Sequence, residues 1–319
     1  MQLRSLLRKQ FGLFIYLISL WPLNTVTGHE VSLRYQYFKD DGSTVTIPGI
    51  DVSVETWEGG TMTGSVSADT VTAASEHRKT DVDTVTSASD YEHRFQATLG
   101  FNQQWRQWSF LLGSYYSDEP DYTSTAFFGG LARDFFQRNT TVSIHGNYGY
   151  DDISSSEDPD FREQARRFGG TLSLTQVLTP KMISRVAASY SYVSGYQSSP
   201  YRYALRSSVS PEFNNQEVLP DERNRYAFYT RINIYNEKAK GAIHPAYRFY
   251  WDDWGIYSHE FDLKFYKYLF SSLIIHLELR YYVQSEADYY QELWSESDRF
   301  MTSYEKYAAG NTYLIAMGS

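Results

Sequence analysis

In the stretch WDDWGIYSH, residues 251–259, two adjacent carboxylates, Asp252 and Asp253, stand between Trp251 and Trp254, and His259 closes the segment. Acids beside an imidazole can draw a proton from water or hold a cation, which is the equipment of a hydrolase. Asp158 and Asp160, one residue apart in SSSEDPDF, offer oxygen to a divalent cation but lack a full calcium-loop spacing. His145, His244 and His276 are of metal-ligating type, but they are far apart in the chain and would need to meet at one depth. G-x-S-x-G, H-E-x-x-H, phosphate-loop and dinucleotide patterns are absent, and with no cysteine there are no disulfides, thiolate ligands or cysteine nucleophiles.

What these residues can do depends on the elements that carry them. In residues 272–284, SLIIHLELRYYVQ, one set of alternate positions holds Leu273, Ile275, Leu277, Leu279, Tyr281 and Val283. The other holds Ile274, His276, Glu278, Arg280, Tyr282 and Gln284. A strand turns successive side chains to opposite faces, so the spacing predicts an apolar face backed by a charged one. The same split recurs in 256–268, in 91–102, and in 225–235, where Tyr226, Phe228, Ile232 and Ile234 oppose Arg225, Tyr229, Arg231 and Asn233.

Soluble sandwiches also alternate, so length and linkage carry the argument. The runs are about 10–15 residues, longer than ordinary strands and close to what a tilted membrane strand needs. Fourteen are expected, near 30–39, 47–57, 60–75, 91–104, 106–118, 121–136, 138–151, 165–178, 181–194, 223–236, 240–252, 256–270, 272–285 and 303–317. Links after the even-numbered runs are short (EGG, WR, QR, LTPK, NEKAK, FSS), whereas 76–90, 152–164, 195–222 and 286–302 are long, polar and acidic. This pattern predicts an all-β fold: a transmembrane antiparallel up-and-down β-barrel, with short periplasmic turns and long acidic external loops. Seventeen per cent aromatic residues, with 29 Tyr, suit rings that sit at the headgroups, and a mean hydropathy below zero is compatible because only alternate side chains face lipid. A net charge of −9 without a basic patch argues against nucleic acid.

The first residues carry Arg4, Arg8 and Lys9, then the apolar FGLFIYLISLW, then a small polar stretch. They read as a signal peptide over 1–28, leaving 29–319 as the barrel domain of an outer-membrane protein of a Gram-negative bacterium. Its surroundings would be membrane lipid, lipopolysaccharide and the barrel-assembly machinery. The last residues, TYLIAMGS, lack the aromatic end usual for such barrels, so either the closing strand is clipped by a few residues or assembly uses another signal.

On this plan WDDWG is a tight hairpin at the long-loop rim, with Trp251 and Trp254 marking the membrane interface. The alternative is a rim hydrolase using Asp252, Asp253 and His259. The charged positions Arg34, Arg94, Arg185, Arg231, Arg248, Arg280, Glu260, Asp262, Glu278 and His276, with His145, His244 and Lys264, fall on the lumen side. Such charges either line a wet path or plug it by pairing, and the residues leave both open. No cofactor is called for, and the expected role is passage or export of a small polar or charged solute, with a structural or docking barrel as a further alternative.

The segments DEPDYTS (118–124), DFFQRNTT (134–141), TQVLTPK (175–181), SGYQSSPYR (194–202), PDERNRYA (220–227), YRFYWDDWGIYSH (247–259) and RYYVQSEADYY (280–290) together resemble a bacterial family of unknown function predicted to form outer-membrane β-barrels. The resemblance covers most of the chain after residue 30. It implies the barrel and hands over no catalytic residues. It also implies neighbours of periplasmic thioredoxin-like, lipoprotein and flavin-transfer type, and so a metal- or redox-linked role in the envelope.

Overall fold

The computed structural model describes residues 29–40, 43–73, 91–205, 215–269 and 273–318. The expected signal peptide over 1–28 and the 76–90 loop lie outside the described residues, as does Ser319. Long strands follow one another: β1 (His29–Asp40), β2 (Ser43–Trp57), β3 (Gly60–Ala73), β4 (Tyr91–Trp105), β5 (Trp108–Glu119), β6 (Tyr122–Phe135), β7 (Thr140–Ser154), β8 (Arg162–Thr179) and β9 (Met182–Gly195). A two-residue pair, β10 (Tyr203–Ala204) and β11 (Asn215–Gln216), stands in the next loop. Then come β12 (Glu222–Asn236), β13 (Gly241–Asp252), β14 (Tyr257–Tyr268), β15 (Ile274–Gln284) and β16 (Gly310–Gly318).

Among the described residues the fourteen long strands form one sheet in chain order, which is the strand plan of an antiparallel up-and-down transmembrane β-barrel. Every register given for a neighbouring pair is antiparallel, for example Leu263 opposite Leu279 and Phe261 opposite Tyr281 across β14 and β15. No described helix is long and apolar enough to cross a membrane.

One face of the sheet shows why a bilayer is its solvent. Leu99, Leu112, Phe127, Ile144, Leu172 and Phe261 are each more than half exposed, and each belongs to the apolar set of its strand. An apolar face of that extent far exceeds what soluble proteins leave in water. The backbone of a membrane-spanning sheet satisfies itself strand to strand, so the hydrocarbon meets side chains alone. The apolar core, by contrast, gathers in the loops beyond the strand ends.

The described residues fall into two compact units. The first comprises those up to Asn102 with Gly113–Ala126 and Asp151–Glu163, and the second comprises Gln103–Leu112, Phe127–Tyr150 and those from Gln164 on. In the first, β2 pairs with the whole length of β1, from His29 opposite Val54 to Asp40 opposite Ser43. In the second, β8, β9, β12, β13, β14, β15 and β16 follow one another in the sheet. Its short turns fit their residues: Asn236 Oδ1 accepts a bond from the Ala239 backbone N–H at 3.0 Å, closing the link between β12 and β13.

Three expectations need correction. The loop expected over 152–164 shrinks to 155–161, because β7 and β8 run on past their alternating cores. The last strand starts at Gly310 and not at 303, because residues 305–307 form a 3-10 turn that buries Tyr307. The second strand starts at Ser43 and not near 47.

Candidate functional site

On the polar face of the first unit Arg34 and Arg94 are paired. Asp69, 4% exposed, accepts hydrogen bonds from Arg94 Nε at 2.8 Å and Gln96 Nε2 at 3.0 Å, and Arg94 also lies 3.7 Å from Glu119. Arg34 lies 3.7 Å from Asp51, which accepts the Ser65 hydroxyl at 2.6 Å. Here the lumen arginines expected from alternation are on the polar face, each with a carboxylate.

In the second unit the polar face divides by strand. On β14 and β15, Arg280 Nη2 lies 3.1 Å from Asp262 and 2.8 Å from Glu278, and Lys264 Nζ lies 3.1 Å from the other Glu278 oxygen. These four side chains form a balanced ladder. Beside it the rings of His244 and His276 lie 4.9 and 4.6 Å from that of Tyr266. His145 is elsewhere, its ring lying where a Cβ on Gly130 would be, so the three histidines do not converge. No group of three or more described His, Asp or Glu side chains is arranged to hold a metal ion.

On β9, β12 and β13 the same face carries Arg185, Arg225, Arg231 and Arg248, and among the described residues none of them forms an ion pair. Arg185 and Arg231 stand directly opposite each other in the register. Arg248 is opposite Tyr229 across β12 and opposite Glu260 across β14, and its guanidinium lies 5.7 Å from the Tyr229 ring centroid. Arg225 has the parity of Arg231, so its place was legible in the alternation although it was not among the expected lumen residues.

The WDDWG stretch is a hairpin turn, as one of the two expectations had it, and Gly255 supplies the left-handed residue at φ +80°. A Cβ there would also meet the Asp288 carboxylate. Asp252 is the hub of this rim. Its carboxylate accepts bonds from Arg223 Nε at 3.0 Å, Tyr250 Oη at 2.6 Å, and the backbone N–H groups of Trp254 and Ile256 at 3.0 Å each. Asp253 accepts from the Asn224 backbone N–H at 2.9 Å and from its side-chain amide at 2.7 Å. Both acids are therefore engaged by the fold.

His259 cannot complete a catalytic set with them. It lies opposite Phe249 on the apolar face, its Nδ1 2.8 Å from the Tyr247 hydroxyl, whereas Asp252 lies opposite Arg225 on the polar face. A shift of seven positions along an alternating hairpin reverses the side, which rules out the convergence that a rim hydrolase needs. Trp251 lies on the apolar face, 40% exposed and stacked on Tyr226 at 5.1 Å. Trp254 does not: it is 2% exposed and buried in loops, so it is no interface residue. Asp158 caps its own turn, accepting the Asp160 backbone N–H at 3.0 Å.

The loops that bury Trp254 were not legible from the chain. Leu219, Ile256, Ala287 and Tyr307 pack around it, and Arg223 lies 4.1 Å over its ring and 5.7 Å from that of Tyr307. Val218 and Met301 bridge the two long loops, and Glu217, 2% exposed, accepts the Thr302 hydroxyl at 2.6 Å and the Ser199 backbone N–H at 3.1 Å. Together these residues make a loop cap at the ends of β12–β15, seated on the polar-face side chains of Arg223, Tyr250 and Asp252.

Burial pushes the Glu217 carboxyl above its ordinary range, against the opposing pull of Thr302, Arg202 and Ser199. The folded cap thus binds a proton more readily than the opened one. Between the ordinary glutamate value and the raised one, opening releases that proton, so the cap is tightest at acid pH and weakens as pH rises through the raised value. Proteolysis within 285–309 is expected to be slower at pH 5 than at pH 8, and Glu217→Gln is expected to flatten the difference. Equal rates at both pH values in the parent protein would refute the assignment.

Comparison with solved structures shows similarity to a mutant of the ferric enterobactin receptor (PfeA) from Pseudomonas aeruginosa, at 7% identity and TM-score 0.48 over 82% of this chain and 44% of that one. The siderophore receptor PirA from Acinetobacter baumannii is similar at 11% identity and TM-score 0.46, over 82% and 44% of the two chains. The ferric yersiniabactin uptake receptor FyuA from Yersinia pestis is similar at 10% and 0.43, over 82% and 57%. The chain thus spans about half the length of the receptors it matches. No curated protein sequence matches it. A family model described as "Protein of unknown function (DUF3570)" matches residues 31–310, nearly all of the strands described above, and the chain belongs to that family.

Proposed function

We propose that the chain resides in the outer membrane of a Gram-negative bacterium and passes small polar or charged solutes along its polar face. The observation that carries this reading is the division of that face in the second unit. A balanced ladder on β14 and β15 stands beside Arg185 and Arg231 on β9 and β12, which face each other and, among the described residues, have no carboxylate at ion-pair distance. A sheet whose lumen charges served only to plug it would pair them throughout, because leaving a half-buried charge such as Arg231 unpaired is costly. Membrane lipid, lipopolysaccharide and the barrel-assembly machinery are the partners this reading requires. Thioredoxin-like or lipoprotein partners in the periplasm would connect the solute to envelope redox or metal chemistry.

The test is the refolded chain lacking residues 1–28 in a planar bilayer, after its gel mobility has been shown to shift on heating. A steady conductance that scales with salt is expected. A folded, heat-shifting protein without conductance would overturn passage and leave a structural or docking role.

A further inference from the structure

Among the described residues, the polar-face cations Arg34, Arg94, Arg223, Lys264 and Arg280 each have a carboxylate at ion-pair distance. Against that background Arg185, Arg225, Arg231 and Arg248 are an exception that needs a cause. They are not scattered. Arg231 and Arg185 occupy one level of the sheet as direct cross-strand partners. Arg248, between Tyr229 and Glu260 in the register, stands two residues nearer the loop rim, and Arg225, opposite Asp252, stands four residues beyond that. With a rise of about 3.3 Å per residue, the row covers roughly 20 Å of the polar face.

Like charges directly opposite each other destabilise a strand pair, so Arg185 and Arg231 face each other at the expense of the fold. The Nε–H groups of Arg225 and Arg231 are moreover shut off from solvent without a hydrogen-bond acceptor, which leaves buried donors unmatched. One kind of ligand, reaching the outer guanidinium nitrogens, answers the first of these defects. An anion with several oxygens accepts two parallel N–H bonds from a guanidinium and cancels its charge, and a pair of arginines can share it.

We infer that the solute passed along this face is a small oxyanion, of the phosphate or carboxylate class, gripped by Arg185 and Arg231 and handed along the row through Arg248 to Arg225. The inference rests on the passage reading above and names its substrate class. The acidic external loops do not oppose it. Charges in water are screened within about 8 Å at physiological ionic strength, whereas Arg225 and Arg231, half-buried in the polar face, act on whatever enters beside them.

Two measurements on the refolded protein test this together. In a salt gradient across a planar bilayer, the reversal potential is expected to show preference for chloride over potassium, and millimolar inorganic phosphate is expected to reduce the chloride current. In detergent, the same phosphate is expected to raise the temperature at which the heat-shifted gel form appears. The double variant R185Q/R231Q is expected to lose anion preference and to weaken the apparent phosphate affinity roughly tenfold or more. It should nonetheless unfold no more easily than the parent without phosphate, since the opposed charges are gone. Lys264→Gln, which removes a paired cation, is expected to leave phosphate affinity within about twofold.

A conducting protein that prefers cations, or whose phosphate response survives in R185Q/R231Q, overturns the inference and leaves passage standing. A folded protein that conducts nothing but is stabilised by phosphate through these arginines overturns passage and supports oxyanion binding. Silence in both measurements overturns both.

Discussion

Asp252→Asn is expected to destabilise the loop cap by about 3–5 kcal/mol, although the change removes only a charge. The pair it breaks is almost wholly withdrawn from water, with the Arg223 and Asp252 side chains 7% and 0% exposed. An asparagine retains an oxygen for the backbone N–H groups of Trp254 and Ile256, so the turn itself survives. Its amide, however, meets the Arg223 guanidinium donor to donor and leaves a buried cation without a counter-charge. Adding Arg223→Met is expected to recover part of the loss, because removing both ions is less harmful than orphaning one. Amide exchange at Ala287 and Asp288, whose N–H groups bond to Tyr307 and Trp254 carbonyls, reads the cap directly. Protection within about 0.5 kcal/mol of the parent in Asp252→Asn would show that something other than this pair holds the cap.

Trp254→Ala is expected to cost a similar amount, about 3–5 kcal/mol, for a different reason. The indole fills the centre of the loop core between Tyr289 and Tyr307, and its Nε1–H donates to the Glu222 carbonyl at 2.9 Å. Alanine would leave a cavity, an unmatched carbonyl and an Arg223 guanidinium without the ring beneath it. Limited proteolysis is expected to cut the 285–309 loop many times faster in this variant while the strands stay protected. Trp251→Ala, three positions away, removes a ring of the same size from the membrane-facing side and is expected to leave the loop untouched. Equal loop cleavage in the two variants would mean that the cap does not depend on the buried indole.

The contrast between the two tryptophans shows where reading the chain succeeds and where it fails. Period-two alternation is a property of neighbours in sequence, so the sheet and its faces were legible: Arg231, Arg248, Glu260, Asp262, Glu278 and Arg280 all lie on the side the alternation assigns them. Placement beyond the last strand residue depends on partners that no local pattern names. Arg223, which turns Asp252 from a candidate acid into a structural hub, is 29 positions upstream of it. Residues 303–309 could equally be a strand, and only the buried contacts of Tyr307 with Trp254 and Arg223 make them loop. The carboxylates of the rim carried a real signal of interaction, but the interaction is with the fold.

The bond between Thr302 and Glu217 spans 85 positions, and that from the Leu205 backbone N–H to the Ser303 hydroxyl spans 98. Between those two loops the chain runs through β12, β13, β14 and β15. Contacts so remote in sequence carry a large loop-closure cost while the intervening chain is free, and only a small one once neighbouring strands hold the loop bases together. The cap is therefore the last part of this region to form, and its closure marks a protein whose strands are already in place.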